Sequence, residues 1–266
     1  MRTLIWCVVF LAAVAAFGQP APPSSCCAPI PPNLSAWWTF DEPSGPTAAD
    51  FGGSVNNFGT DNGAVGHGPG FVGRAVSFSG TNTWISVPNQ AEVNFAGNCA
   101  SGTIDFWIRT GQTNTVAVID KRQKLTSAPT FLGYEVYLYQ GKIGFQMAVG
   151  PGSFPCGGTG ATCTNFTSPY TVANGQWHFV AITFQRCPSP VGFFYVDGNP
   201  PAPFTPRLGD LNNTQALQIG REVPGNFSNT YFRGSLDELE IFQGALTAAQ
   251  VNAIRTAGER GKCRRY

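Results

Sequence analysis

Short runs of β-branched and aromatic residues, broken every few positions by Gly, Pro, Asn or Asp, extend along almost the whole chain, and this rhythm points to an antiparallel β fold. The composition agrees, with 32 Gly, 21 Pro and 21 Phe against 7 Tyr. Eleven runs read as strands: residues 36–40, 75–79, 84–87, 103–109, 116–121, 134–139, 143–148, 178–184, 192–196, 216–219 and 234–242. Gln140-Gly141 and Asp197-Gly198 put a glycine at two of the turns, where positive φ costs it little. One helix is expected, in LTAAQVNAI: Thr247 caps it with Gln250 three residues on, Leu246 staples onto Val251, and Gly258 ends it. The expected fold class is all-β, a two-sheet antiparallel jelly-roll sandwich with a short C-terminal helix.

Arg2 precedes an apolar run from Leu4 to Phe17 that is too short to span a bilayer, and small residues follow at Ala15, Ala16 and Gly18. Residues 1–18 therefore read as a secretory signal peptide, which makes the mature chain an exported, extracellular one with no membrane span. Residues 19–33 are Pro-rich, a linker or a docked arm. Residues 34–258 fit one large β domain, and residues 259–266 form a basic tail with Cys263 that reads as a solvated end. The 16 Lys and Arg against 15 Asp and Glu leave a net charge of +1, with none of the basic clustering that nucleic acid demands.

FRGSLDELEIF, residues 232–242, is the hardest strand to place. Strict alternation puts Leu236, Glu238, Glu240 and Phe242 on one side and Ser235, Asp237, Leu239 and Ile241 on the other, so neither face is apolar. Its acids either meet solvent or a basic neighbour, or Asp237 ligates a hard cation.

The ordered series SAWWTFDEPSG, FVGRAVSFSGTNTWISVP, TIDFWIRT, GYEVYLYQGKIGFQ, GQWHFVAITF, FFYVDG, LQIGRE and FRGSLDELEIFQGALTAAQVNAI, closed by GKC, resembles the laminin-G-like jelly-roll family of the concanavalin A-like lectin and glucanase superfamily. The resemblance covers residues 34–263. It implies two curved sheets packed face to face with the first and last strands adjacent. It says less about function, because the fold hosts lectins, adhesion modules, glucanases and spacers. The leader and the GKC tail have a bacterial cast.

Seven cysteines remain after residue 18. Relatives with a GKC tail imply Cys27–Cys263, a staple between the termini. Cys156 and Cys163 bracket GGTGAT and close that loop. Pentraxins, another branch of the superfamily, imply Cys99–Cys187. Partners in an antiparallel pair have residue numbers of constant sum, 286 for this disulfide, and the same sum pairs Phe106 with Val180. Cys26 is left over.

The resemblance also implies a structural calcium where the first and last strands meet, with Asp41, Asp50 and Asp237 as its carboxylates; turn caps are the other reading of the same residues. As a glucanase the chain falls short. SLDELE resembles the E-x-D-x-x-E strand of such enzymes, but Ser235 stands where the nucleophilic glutamate belongs. Asp105, Asp120 and Glu135 read as isolated acids, and no catalytic residue is assigned. What remains is a non-catalytic extracellular binding module for a glycan, with an adhesion or spacer module holding another extracellular protein as the rival. Trp84, Tyr170 and Tyr231, next to Asn226 and Asn229, are the expected ligand-binding residues.

Overall fold

The structure, a computed structural model, describes residues 27–53, 56–125, 131–150, 156, 161–225 and 230–264. The leader 1–18, Cys26, Asn226 and Asn229 lie outside the described residues. In chain order the strands are β1 (Leu34–Trp38), β2 (Thr47–Ala48), β3 (Gly59–Asn62), β4 (Gly66–Pro69), β5 (Arg74–Ser79), β6 (Trp84–Val87), β7 (Gly102–Arg109) and β8 (Val116–Lys124). There follow β9 (Phe131–Tyr139), β10 (Lys142–Val149), β11 (Cys163–Thr171), β12 (Trp177–Gln185), β13 (Val191–Val196), β14 (Ala202–Phe204), β15 (Leu217–Ile219) and β16 (Arg233–Phe242), then the helix α1 (Ala248–Ala257).

These strands form two antiparallel sheets. The first runs β14-β13-β12-β7-β16-β5-β4 with β1 also on β16, and the second runs β11-β10-β9-β8-β15-β6-β3-β2. Phe106, Ile108, Val180 and Ile182 of the first face Val118, Val136, Phe145 and Met147 of the second across one dry core. Truncating any one of the two Phe rings to Ala would cost about 3–5 kcal/mol. Phe106 pairs with Val180, the register anticipated from the cysteines, and the bonds Cys27–Cys263, Cys99–Cys187 and Cys156–Cys163 are all present.

Each of the eleven expected strands has a counterpart. The five missed were β2, β3, β4, β11 and β14, and four of them are the outer edges of the two sheets. Their sequences, such as GTDN and GHGP, carry little β propensity; they are strands because a neighbour offers them a ladder. The helix follows expectation: Gln250 N donates to Thr247 Oγ1, Thr247 N donates to Gln250 Oε1, and Leu246, Val251 and Ile254 cover Trp107 and Phe179 on the outer face of the first sheet.

β16 departs from simple alternation. It pairs with β7 as Asp237↔Trp107 and then Glu240↔Asp105, a bulge in which Glu238 takes φ +51°. The extra residue re-phases the strand so that Leu236, Leu239 and Ile241 all reach the core. That is why the sequence pattern looked mixed. The acids go outward, yet all three are buried there: Glu238 and Glu240 meet Lys262 of the C-terminal tail, and Asp237 is capped by the backbone of Phe71 and Val72.

The tail reading is corrected accordingly. Ala28 N donates to Gly261 O, Cys263 N donates to Ala28 O, and the Cys27–Cys263 bond fixes the pair. Lys262 is buried beneath, ion-paired to Glu238 and Glu240, and Arg264 pairs with Asp41. Buried carboxylates need a cation, and the tail supplies it. The described part of the Pro-rich segment is a docked arm.

Candidate functional site

The outer face of the second sheet carries an uninterrupted polar row. Following cross-strand partners, Thr47 stands opposite Thr60, Thr60 opposite Ser86, Ser86 opposite Gln218, and Gln218 opposite Asp120. Asp120 is opposite Glu135, Glu135 opposite Gln146, and Gln146 opposite Asn165. One residue from every strand of the sheet takes part, which at ordinary strand spacing makes a band roughly 34 Å across. Directly opposed residues share a face, so all these side chains lie on the side away from the core.

Arg122 binds the middle of the row together. Its Nε donates to Asp120 Oδ1 at 2.8 Å and one Nη to Asp120 Oδ2 at 3.0 Å. It meets Glu135 Oε2 at 2.9 Å, Glu222 Oε1 at 3.2 Å and Gln146 Oε1 at 2.7 Å. Gln146 Nε2 passes the network on to Asn165 Oδ1 at 2.7 Å. Ligand oxygens of Asp120, Glu135 and Glu222 lie within 4.8 Å of one another. One guanidinium serves three carboxylates, and burial pushes Glu135 up to about 8 against the pull of Arg122. The amides of Gln146, Gln218 and Asn165 and the hydroxyls of Ser86, Thr60 and Thr47 give the row both donors and acceptors.

Aromatic rings flank the row. Trp84 lies two residues from Ser86 on the same face of β6, and Tyr137 two residues from Glu135 on β9. Tyr137 lies flat over Gly144, where a Cβ would come within 2.3 Å of its ring. Tyr137, Ala117, Gln146, Asn165, Glu222 and Thr230 line a hollow of about 310 Å³.

The expected ligand residues are only partly brought together. Trp84 and Tyr231 meet, their rings 6.1 Å apart at the edge of the row. Tyr170 does not join them: it packs on the core and its hydroxyl donates to Pro200 O at 2.8 Å. Asn226 and Asn229 lie outside the described residues. Asp120 and Glu135, read from sequence as isolated, are neighbours. The hairpin turn at Gln140-Gly141 was the signal that could have found part of the site, since it already sets Gln146 opposite Glu135.

Asp41, Asp50 and Asp237 do not gather as a trio: among the described residues the one group of three such side chains with ligand atoms within 4.8 Å of one another is Asp120, Glu135 and Glu222. Asp50 is corrected to a loop cap: its oxygens accept from Trp37 N, Gly52 N, Asn57 N and Asn57 Nδ2, which fills them. Asp41 and Asp237 both hold the loop from Gly70 to Arg74. Asp41 Oδ1 accepts from Arg74 N, and Asp237 Oδ2 accepts from Phe71 N and Val72 N. Asp237 Oδ1 is buried with no hydrogen-bond partner, and burial pushes this carboxyl up to about 8. In SLDELE, the glucanase-like strand, Asp237 lies against the Phe71–Val72 backbone and Glu240 against Lys262, both without exposed surface.

A family model described as the concanavalin A-like lectin/glucanases superfamily, of laminin G type, matches residues 79–252. Among solved structures, the binding domain of Paraclostridial Mosquitocidal Protein 1 has a TM-score of 0.62 at 17% identity, over 82% of this chain and 51% of that one. The binding domain of botulinum neurotoxin DC, in complex with rat synaptotagmin II, gives 0.62 at 15% identity over 85% and 51%. Domain 4 of AbnA, a GH43 extracellular arabinanase from Geobacillus stearothermophilus in complex with arabinotriose, gives 0.56 at 18% identity over 85% and 98%. The chain spans about half the length of the toxin binding domains it matches. At such identities the likeness establishes the jelly-roll fold. A search of curated protein sequences finds no match.

Proposed function

Because the chain belongs to the concanavalin A-like lectin/glucanases superfamily, we propose that it is an exported, non-catalytic binding module that holds a carbohydrate chain along the outer face of its second sheet. The observation that carries this reading is the polar row across all eight strands, flanked by Trp84 and Tyr137. Amides, hydroxyls and carboxylates in line match successive sugar hydroxyls, and the rings match the apolar faces of the sugars. The similar folds solved with arabinotriose and with a protein receptor favour a binding role, and three disulfides fit an oxidising, extracellular setting.

A glycosidase reading is weaker. Glu135 and Glu222 both lean on Arg122, so neither stands free as the nucleophile that a covalent glycosyl intermediate requires. A protein-adhesion role is the alternative, and the face is too polar for a dry protein interface core.

A structural calcium is part of the proposal. Asp237, through its unpartnered Oδ1, and Asp41 would hold it beside the Gly70–Arg74 loop, with Arg264 competing for Asp41. Bound there it would cross-link the first and last strands.

A glycan array probed with the disulfide-bonded mature chain, with calcium and then with chelator, tests all of this. Saturable binding weakened by Gln146→Ala supports the carbohydrate reading; no binding on any spot overturns it. An unchanged melting temperature in chelator overturns the calcium. Release of reducing ends from a bound polysaccharide would overturn the non-catalytic assignment.

A further inference from the structure

Arg221 lies on the same face as the polar row but outside its carboxylate cluster. Its guanidinium carbon sits 3.7 Å from the centre of the Trp84 ring. Nε donates to Gln218 Oε1 at 3.0 Å, and Gln218 Nε2 donates to Ser86 Oγ at 3.0 Å, so the fork is fixed to the row through two of its members. Tyr231 closes the third side, bridged to Arg221 through the backbone and with its ring 6.1 Å from that of Trp84. Among the described residues no carboxylate lies within ion-pair distance of Arg221, whereas Arg122 has three.

A guanidinium held this close over an indole has given up part of its hydration and part of its rotational freedom. Its remaining in-plane donors are spaced for the two oxygens of a carboxylate. Partial burial already lowers its proton affinity, and an anion would relieve that penalty. We propose that Arg221, braced by Trp84, Gln218 and Tyr231, is the recognition point for the carboxylate of an acidic sugar at one end of the row. The carboxylates around Arg122 disfavour a second acidic unit there, so the matching ligand has its acid at the Trp84 end and neutral units over Gln146 and Asn165. This assignment rests on the carbohydrate reading above and adds the class of sugar.

The test is an array of oligosaccharides printed as free uronates and, in paired spots, as their methyl esters, together with neutral oligosaccharides. The native chain should hold at least one uronate about tenfold more tightly than its ester, a preference that shrinks with added salt. Arg221→Gln should erase that preference while keeping the native melting temperature. Because esterification changes the ligand and not the protein, the result stands even if the variant folds poorly. Equal binding of acids and esters, binding of neutral spots alone, or a preference that survives in a folded Arg221→Gln protein overturns the acidic-sugar assignment and leaves the carbohydrate reading in place. Silence on every spot overturns both.

Discussion

Asp105 of β7 and Glu240 of β16 stand directly opposite one another in the sheet, both fully buried, and neither oxygen of Asp105 has a hydrogen-bond partner. Lys262 is the nearby cation, ion-paired to Glu240 and to Glu238 and lying 5.0 Å from the centre of the Trp37 ring. Burial raises Asp105 to about 7 and Glu240 well above the usual carboxylate range, while the surrounding acids hold Lys262 above the usual lysine value.

Asp105→Asn is expected to stabilise the protein at mildly alkaline pH. The folded-state value of about 7 lies above the unfolded one, so Asp105 favours the folded state most below pH 4 and that stability is lost as pH rises through 7. The amide removes the loss. Urea midpoints should show a gain of up to about 4 kcal/mol near pH 8 and little change near pH 4. An equal effect at both pH values would refute the buried pair.

Lys262→Met should cost about 3–5 kcal/mol near neutral pH, because it leaves Glu238, Glu240 and Asp105 without their cation. The deficit should narrow at low pH as the acids take up protons. A solvated tail would lose nothing, and the denaturation midpoint decides between the two.

Cys27→Ser with Cys263→Ser removes the clasp that holds Lys262 in place. The two cysteines are 236 residues apart in sequence. The chain-entropy view gives an upper estimate of about 5 kcal/mol for so long a loop. The melting temperature of the double variant should fall, and adding Lys262→Met to it should cost less than in the disulfide-bonded chain, since the two changes share one structure. Full additivity would separate them.

Asn165→Ala probes the row without touching the core. Asn165 is exposed and accepts one bond from Gln146. Glycan affinity should drop about fivefold, the weight of one polar contact, with stability within about 0.5 kcal/mol of the native chain. Titration calorimetry and a melting curve check both halves; unchanged affinity would move the ligand off this end of the sheet.

The sequence by itself determined the sandwich. Eleven apolar runs, two Gly-marked turns and the Thr247 capping box each act locally, through propensity and backbone geometry, and a local signal can be read without knowing its neighbours. The Cys99–Cys187 register was legible too, since antiparallel pairing is arithmetic once one pair is known. Only the tertiary structure decided which sides of the strands matter. The edge strands exist because a neighbour pairs with them. The bulge at Glu238 reverses the facing of everything after it, and Lys262 becomes a buried cation only when the clasp lays it over β16. The polar row is assembled from one residue on each of eight strands, and Asp120 and Glu135 look isolated along the chain because the packing that gathers them with Glu222 around Arg122 depends on strand order, which no stretch of sequence contains.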